Sequence, residues 1–324
     1  MMGTSESEVA DLNNDGYLSK EEFARAFAPL NCVSNEDIDE LFVLAERNNG
    51  GKLSYNDFVD WVMQAKDRDN IISDVKELCE EAKKIGVPPI YIASEKNNAE
   101  VLQILVQARA NIDTARQAEK SHEGGETPIF IASSKNNVDV LQILVQARGN
   151  VNKADKVGTT PTCEAVSRNS MEALRILVEA GADINLGDDF GTTPITTASQ
   201  DNNIDAARFL LQARCDVELP CKNGATPIFF ASQNDHLDIL QMLMQARGNI
   251  DPPGLTTHGA TPIAIATEMN RVEVLRILCE ARGNIDTVNR KGLTPIDIAT
   301  QMNHTEALQV LMHRRGDAEA LPLP

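Results

Sequence analysis

Residues 127–150 read TPIFIASSKNNVDVLQILVQARGN, and the architecture is decided here. A threonine hydroxyl accepts a free backbone N–H of a first helical turn, and proline fits that turn because it has no N–H to satisfy. The pair Thr127-Pro128 therefore predicts the start of a short helix. Asn136 predicts its stop, since Asn and Asp are the non-glycine residues that best tolerate a left-handed backbone. A second helix follows, with Val140, Leu141, Leu144 and Val145 on one apolar face.

Working outward, the same unit recurs. Its prolines are Pro89, Pro128, Pro161, Pro194, Pro227, Pro262 and Pro295, spaced by 39, 33, 33, 33, 35 and 33 residues. The first helices read PPIYIAS, TPIFIAS, TPTCEAV, TPITTAS, TPIFFAS, TPIAIAT and TPIDIAT; the second run from VLQILVQAR to ALQVLMHRR. The stop column is Asn97, Asn136, Asn169, Asn202, Asp235, Asn270 and Asn303. Units that cannot bury a face alone bury it against their neighbours, so a fixed period means a stack.

This pattern resembles the ankyrin repeat over about residues 87–320. The resemblance implies an all-α fold, an α-solenoid of about seven repeats, curved, with short β-turn fingers between units. Three departures stand out: Asn or Asp replaces the usual glycine between the helices, Arg replaces the glycine after the second helix in six of seven units, and the usual histidine of the first helix is missing. Six extra residues around Ala115–Gly124, and two before the sixth unit that include Pro252 and Pro253, predict longer fingers. The stretch Ile71–Ile85 is a candidate N-terminal cap. The polar last unit, with His313, Arg314 and Arg315, is a candidate cap at the other end. The family's usual binding surface, finger tips plus concave first helices, maps here onto Glu126, Val157, Asp189, Phe190, Thr192, Lys222, Asn223, His258, Arg290 and Lys291. Phe190 is the leading candidate, an aromatic at a finger tip.

Residues 11–22 read DLNNDGYLSKEE. Asp11, Asn13 and Asp15 place oxygens at positions 1, 3 and 5, and Gly16 permits the sharp turn. Tyr17 offers its carbonyl, Ser19 acts directly or through water, and Glu22 supplies two oxygens at position 12. Leu18 and Phe23 fall where a pairing residue and an exiting helix belong. The loop resembles an EF-hand and implies Ca²⁺ as cofactor. A partner loop, ERNNGGKLSYND, spans residues 46–57 with eroded ligands: Glu46, Asn48, Lys52, Ser54 and Asp57, with Gly50 offering no carboxylate. Its expected role is to pair with the first loop. The helix before Asp11 is weak, with Ser7 and Gly3 where apolar residues belong.

The chain of 324 residues carries 48 acidic and 30 basic side chains, a net charge of −18. Residues 1–86 hold 19 acids and 9 bases and residues 87–324 hold 29 and 21, so the excess is −10 and −8. That balance argues against a nucleic-acid partner bound through phosphates. No apolar run approaches a membrane span, and no membrane attachment is expected. Met2-Gly3 with Ser7 would fit N-myristoylation were translation to begin at Met2; a plain N-terminus is expected. Six cysteines without CxxC or zinc spacing read as buried reduced thiols in a cytoplasmic protein.

The five histidines show no metal spacing, and no phosphate loop or nucleophile–base pair appears, so no enzyme is expected. The arginines Arg109, Arg148, Arg214, Arg247, Arg282 and Arg315 recur at the ends of second helices. They either complement the helix dipole in solvent or form a groove for acidic partners or lipid headgroups. The expected organisation is an EF-hand pair (1–67), a linker or capping helix (68–86) and ankyrin repeats (87–320). The expected function is a calcium-responsive adaptor holding a protein partner. A constitutive scaffold with a structural EF-hand, and a regulatory fragment of a larger enzyme or channel, are the alternatives.

Overall fold

The computed structural model describes residues 68–107, 110–117, 124–252 and 259–319. Both calcium-loop candidates, His258 and Arg109 lie outside the described residues. Every regular element among them is an α-helix. α1 (Arg68–Ile85) precedes seven helix pairs: α2 (Pro89–Glu95) and α3 (Ala99–Gln107), α4 (Pro128–Lys135) and α5 (Val138–Gln146), α6 (Pro161–Ser167) and α7 (Met171–Glu179), α8 (Pro194–Asp201) and α9 (Ile204–Gln212), α10 (Pro227–Asn234) and α11 (Leu237–Gln245), α12 (Pro262–Glu268) and α13 (Val272–Glu280), α14 (Pro295–Gln301) and α15 (Thr305–Glu319). The described residues fall into two compact units: those up to Ala132 with Asn137–Asn150, and Ser133–Asn136 with those from Val151 onward.

The predicted caps form. Thr127, Thr160, Thr193, Thr261 and Thr294 each accept a backbone N–H three residues on. At Thr294 the carboxylate of Asp297 reciprocates. The hydrogen bonds from the Thr294 hydroxyl and N–H hold that carboxyl below its ordinary range. Thr226 is the exception: its φ of −101° departs from its counterparts and its buried hydroxyl has no partner. All seven stop residues, Asn97 through Asn303, adopt left-handed φ between 54° and 64°.

In the second helices Val140, Leu141 and Leu144 are fully buried, as are Ala173, Leu174 and Leu177, Ala206, Ala207 and Leu210, Ile239, Leu240 and Leu243, and Val274, Leu275 and Leu278. Spacing of i, i+1, i+4 leaves these three on one stripe, and removing each large side chain from water contributes about 1.5–3 kcal/mol. In the second unit, first helices α6, α8, α10, α12 and α14 pack in sequence, each against the next.

In the first unit, α1 packs on α2 and α3. It begins three residues before the predicted Ile71, and its Leu78 and Ala82 are buried. Those two side chains are therefore covered where the helix meets the first repeat.

Thr162 occupies a register that is isoleucine in the other six repeats. It is fully buried and its hydroxyl has no partner. Ser94, Ser199, Ser232 and Thr267 each donate to the carbonyl four residues back. Thr162 is the second residue of its helix, so no helical carbonyl lies four residues behind it. Thr162→Val is expected to stabilise the chain by about 1 kcal/mol, since an unmade buried hydrogen bond costs about 1–3. A rise of roughly 2–4 °C in melting temperature would check this.

Candidate partner-binding surface

Three fingers are each tied at the base by one short acceptor side chain. Asp155 Oδ1 accepts the N–H groups of Val157 and Thr159 at 3.0 and 2.8 Å. Asp188 Oδ1 accepts those of Phe190 and Thr192, both at 2.8 Å. Asn289 Oδ1 accepts those of Lys291 and Leu293. In the finger between, Cys221 holds this register, and Asn223 Oδ1 takes over by accepting the Ala225 N–H. These carboxylates and amides are engaged in the backbone, which fixes the loop shapes before any partner arrives.

Neighbouring tips are then zipped together. The Asp189 N–H donates to the Val157 carbonyl at 3.1 Å, and the Lys222 N–H to the Phe190 carbonyl at 2.7 Å. Gly158, at φ +80°, lies under Asp189: a Cβ there would meet the Asp189 nitrogen at 2.6 Å. The close approach requires glycine.

The side chains follow from this frame. Phe190 is 67% exposed, so it does not pack against the next finger. Asp189, Lys222, Asn223, Arg290 and Lys291 are also exposed. The remaining candidates are less available. Val157 and Thr192 are half-buried, and Thr192 accepts weak S–H contacts from Cys163 and Cys221. Glu126 sits at the base of its finger, its side chain 20% exposed and paired with Arg116 at 3.9 Å. Its backbone also closes that finger, accepting the Arg116 N–H at 2.9 Å. Beneath it, burial pushes the Tyr91 hydroxyl above its ordinary range. On the first helices and the finger residues just before them, Ala225, Phe229, Ala260, Ala264, Ile265 and Ile298 form one apolar cluster, with Phe230 and Leu293 packed against it.

Two inter-repeat ladders escaped the sequence reading. In the first, from the second helix pair onward, the residue after the left-handed stop reaches back to a first-helix carbonyl of the preceding repeat: Asn137 to Ser94, Ser170 to Ser134, Asn203 to Val166, His236 to Ser199, Arg271 to Gln233 and His304 to Thr267. Every residue at this register carries a polar side chain, a periodic signal one position beyond the stop column. In the second, Asp113, Asn152, Asn185, Glu218 and Asp251 each accept a backbone N–H from the following repeat. Both satisfy polar backbone where repeats meet.

The arginine column is also placed. Arg148, Arg214, Arg247 and Arg282 are exposed and adopt left-handed φ of 63–67°, the conformation glycine adopts at Gly181, φ 84°. Arg315 departs from them because α15 continues past it.

Cys163, Cys215, Cys221 and Cys279 are buried and unbridged. Burial pushes the thiols of Cys163 and Cys279 up to about 11 and that of Cys215 to about 12, so they are neutral and poorly nucleophilic near pH 7. Among the described residues no three side chains are grouped to hold a metal, and no helix is long and apolar enough to cross a membrane.

Comparison with known families accords with this frame. A model of an EF-hand domain pair matches residues 8–63. A model of three-copy ankyrin repeats matches residues 55–155, 90–188, 165–253 and 245–320. No curated protein matches the chain. With overlapping matches from residue 55 to residue 320 and seven helix pairs on one period, the chain belongs to the ankyrin-repeat family, and it carries an EF-hand pair at its N-terminus.

Proposed function

We propose that this chain is a calcium-binding, non-enzymatic adaptor that holds a protein partner on its finger row. The functional division runs as 1–67 for the EF-hand pair, 68–86 for the capping helix and 87–320 for the repeats. The observation that carries the reading is the row itself. Backbone bonds at Val157–Asp189 and Phe190–Lys222 hold the loops in place, and an aromatic is left exposed at a tip. A pre-organised surface with an exposed aromatic loses little entropy on binding and offers the kind of anchor that dominates interfaces.

Calcium enters through Asp11, Asn13, Asp15, Tyr17, Ser19 and Glu22, an all-oxygen donor set of the kind this hard cation prefers. Glu22 contributes two of those oxygens, so Glu22→Gln is expected to weaken calcium at least about tenfold. Calorimetry in a magnesium background checks this, with the single tryptophan, Trp61, as a fluorescence readout. Binding of about one calcium near micromolar supports the sensor reading. No binding below about a millimolar removes it. Phe190→Ala is expected to weaken, by about tenfold or more, the binding of a protein partner identified by cross-linking to the wild-type finger row.

A second reading has its own support. Because Leu78 and Ala82 of α1 are already buried by the repeats, calcium-driven opening of the hand need not reach the stack. The chain would then act as a constitutive scaffold, and partner affinity would be equal with and without calcium.

A further inference from the structure

The last repeat breaks the pattern of the others at two adjacent positions, where it places an imidazole and a guanidinium. The second helices α5, α7, α9, α11 and α13 end on alanine at one register: Ala147, Ala180, Ala213, Ala246 and Ala281 are their C-caps. In the last repeat that residue is Arg314. The position before it, Gln or Glu in every other repeat, is His313. α15 also runs on to Glu319, so Arg314 sits within a helix instead of ending one.

Both substitutions line one groove. It has a volume of about 330 Å³ and lies between α13 and α15 in the second unit. Arg276, Cys279 and Glu280 form one wall, and Gln309, His313 and Arg314 the other. Arg276 leans on Glu273 at 3.3 Å and remains half-exposed. The Nε–H of Arg314 is shielded from solvent and has no hydrogen-bond partner. An anion in the groove would not reach that shielded N–H, but its charge would offset the cost of holding a permanently charged group partly buried. The Cys279 thiol below is 6% exposed and neutral, so it brings no competing charge. Glu280 is the single carboxylate on the lining.

We propose that this groove binds a phosphate group, with Arg314 as its anchor and Arg276 and His313 beside it. A tetrahedral dianion offers enough acceptor oxygens to meet two guanidinium groups and an imidazole N–H at once, and the planar fork of arginine matches it in a way that lysine does not. The groove is larger than phosphate alone, so it also has room for the organic part of a small ester or a lipid headgroup. This site is separate from the finger row and stands whether or not that row holds a partner.

The test uses the full chain at about 0.15 M salt, where long-range attraction is largely screened. Inorganic phosphate is titrated by calorimetry and by chemical-shift change at the arginine Nε–H groups. Wild type is expected to half-saturate near about 1 mM. Arg314→Gln, and separately Gln309→Glu, which adds a repelling charge, are each expected to weaken this by about tenfold or more. Arg315→Gln, whose guanidinium pairs instead with Asp286 at 3.4 Å, is expected to leave it unchanged. Equal affinity in Arg314→Gln and wild type overturns the proposal, as does absence of saturation at ten times that concentration. Flotation with phosphatidylcholine vesicles, with and without phosphatidylinositol 4-phosphate, assigns the source. Recruitment that Arg314→Gln abolishes means a headgroup; phosphate binding without recruitment means a soluble phosphate.

Discussion

Gly158→Ala is expected to destabilise the chain by about 2–4 kcal/mol, while Gly181→Ala costs about 1–2. Both glycines have left-handed φ, +80° and +84°, so both pay the strain of a Cβ in that region, about 1–2 kcal/mol. Only Gly158 adds a collision. Its new Cβ would meet the Asp189 nitrogen at 2.6 Å and the Asp189 Oδ1 at 2.8 Å, whereas around Gly181 nothing lies within 4 Å. The backbone cannot swing away as a flexible side chain would, and forced overpacking typically costs a further 1–3 kcal/mol, roughly. The same shift pulls apart the Asp189–Val157 bond. Urea unfolding of both variants measures the difference, and equal losses would refute the zipped-finger account. A partner that docks on the finger row should also bind Gly158→Ala more weakly than Gly181→Ala.

The triple change Arg214→Gly, Arg247→Gly, Arg282→Gly is expected to stabilise the chain by about 1.5–3 kcal/mol. Each arginine holds a left-handed φ that costs a side-chain-bearing residue about 1–2 kcal/mol. Glycine removes that strain but gives back about 0.4–1 through a freer unfolded chain. The net is roughly 0.5–1 per site, and sites one repeat apart that share no partner add. The change also removes three exposed cations, so it separates the two readings of the arginine column. Unaltered partner binding with raised stability means that the cations serve only the helix ends. Raised stability with lost binding of an acidic partner means that strain is kept in the fold for the sake of a binding surface.

Much of the fold was legible because its signals are local and repeated. Thr-Pro starts, Asn or Asp stops and the i, i+1, i+4 apolar stripe act within one or two turns of the chain, and seven copies reinforce one another. The stop column shows this best, since every one of its seven residues has the left-handed backbone expected from residue type. Where a signal depends on fine geometry it failed locally: Thr226 has the sequence of a cap, yet a φ of −101° leaves its hydroxyl unbonded.

The candidate surface was only half legible. Sequence register located the fingers and singled out Phe190, Lys222, Arg290 and Lys291. It could not tell that Glu126 turns inward to Arg116, because the partner side chain lies across a finger of irregular length. It also overlooked His236 and Asn203, whose polar groups serve a carbonyl 37 residues away.

The repeat period, the helix pairs, the left-handed stops and the oxygen-rich stretch of residues 11–22 could all be read from the amino-acid order, since each rests on the conformational preference or chemistry of residues close in the chain. Packing alone settled that Leu78 and Ala82 of α1 are buried, that Phe190 stands in solvent, and that Arg276 and Arg314 share one groove. These are contacts between repeats or between helices far apart in the chain, and burial is set by what packs opposite, which no single segment contains.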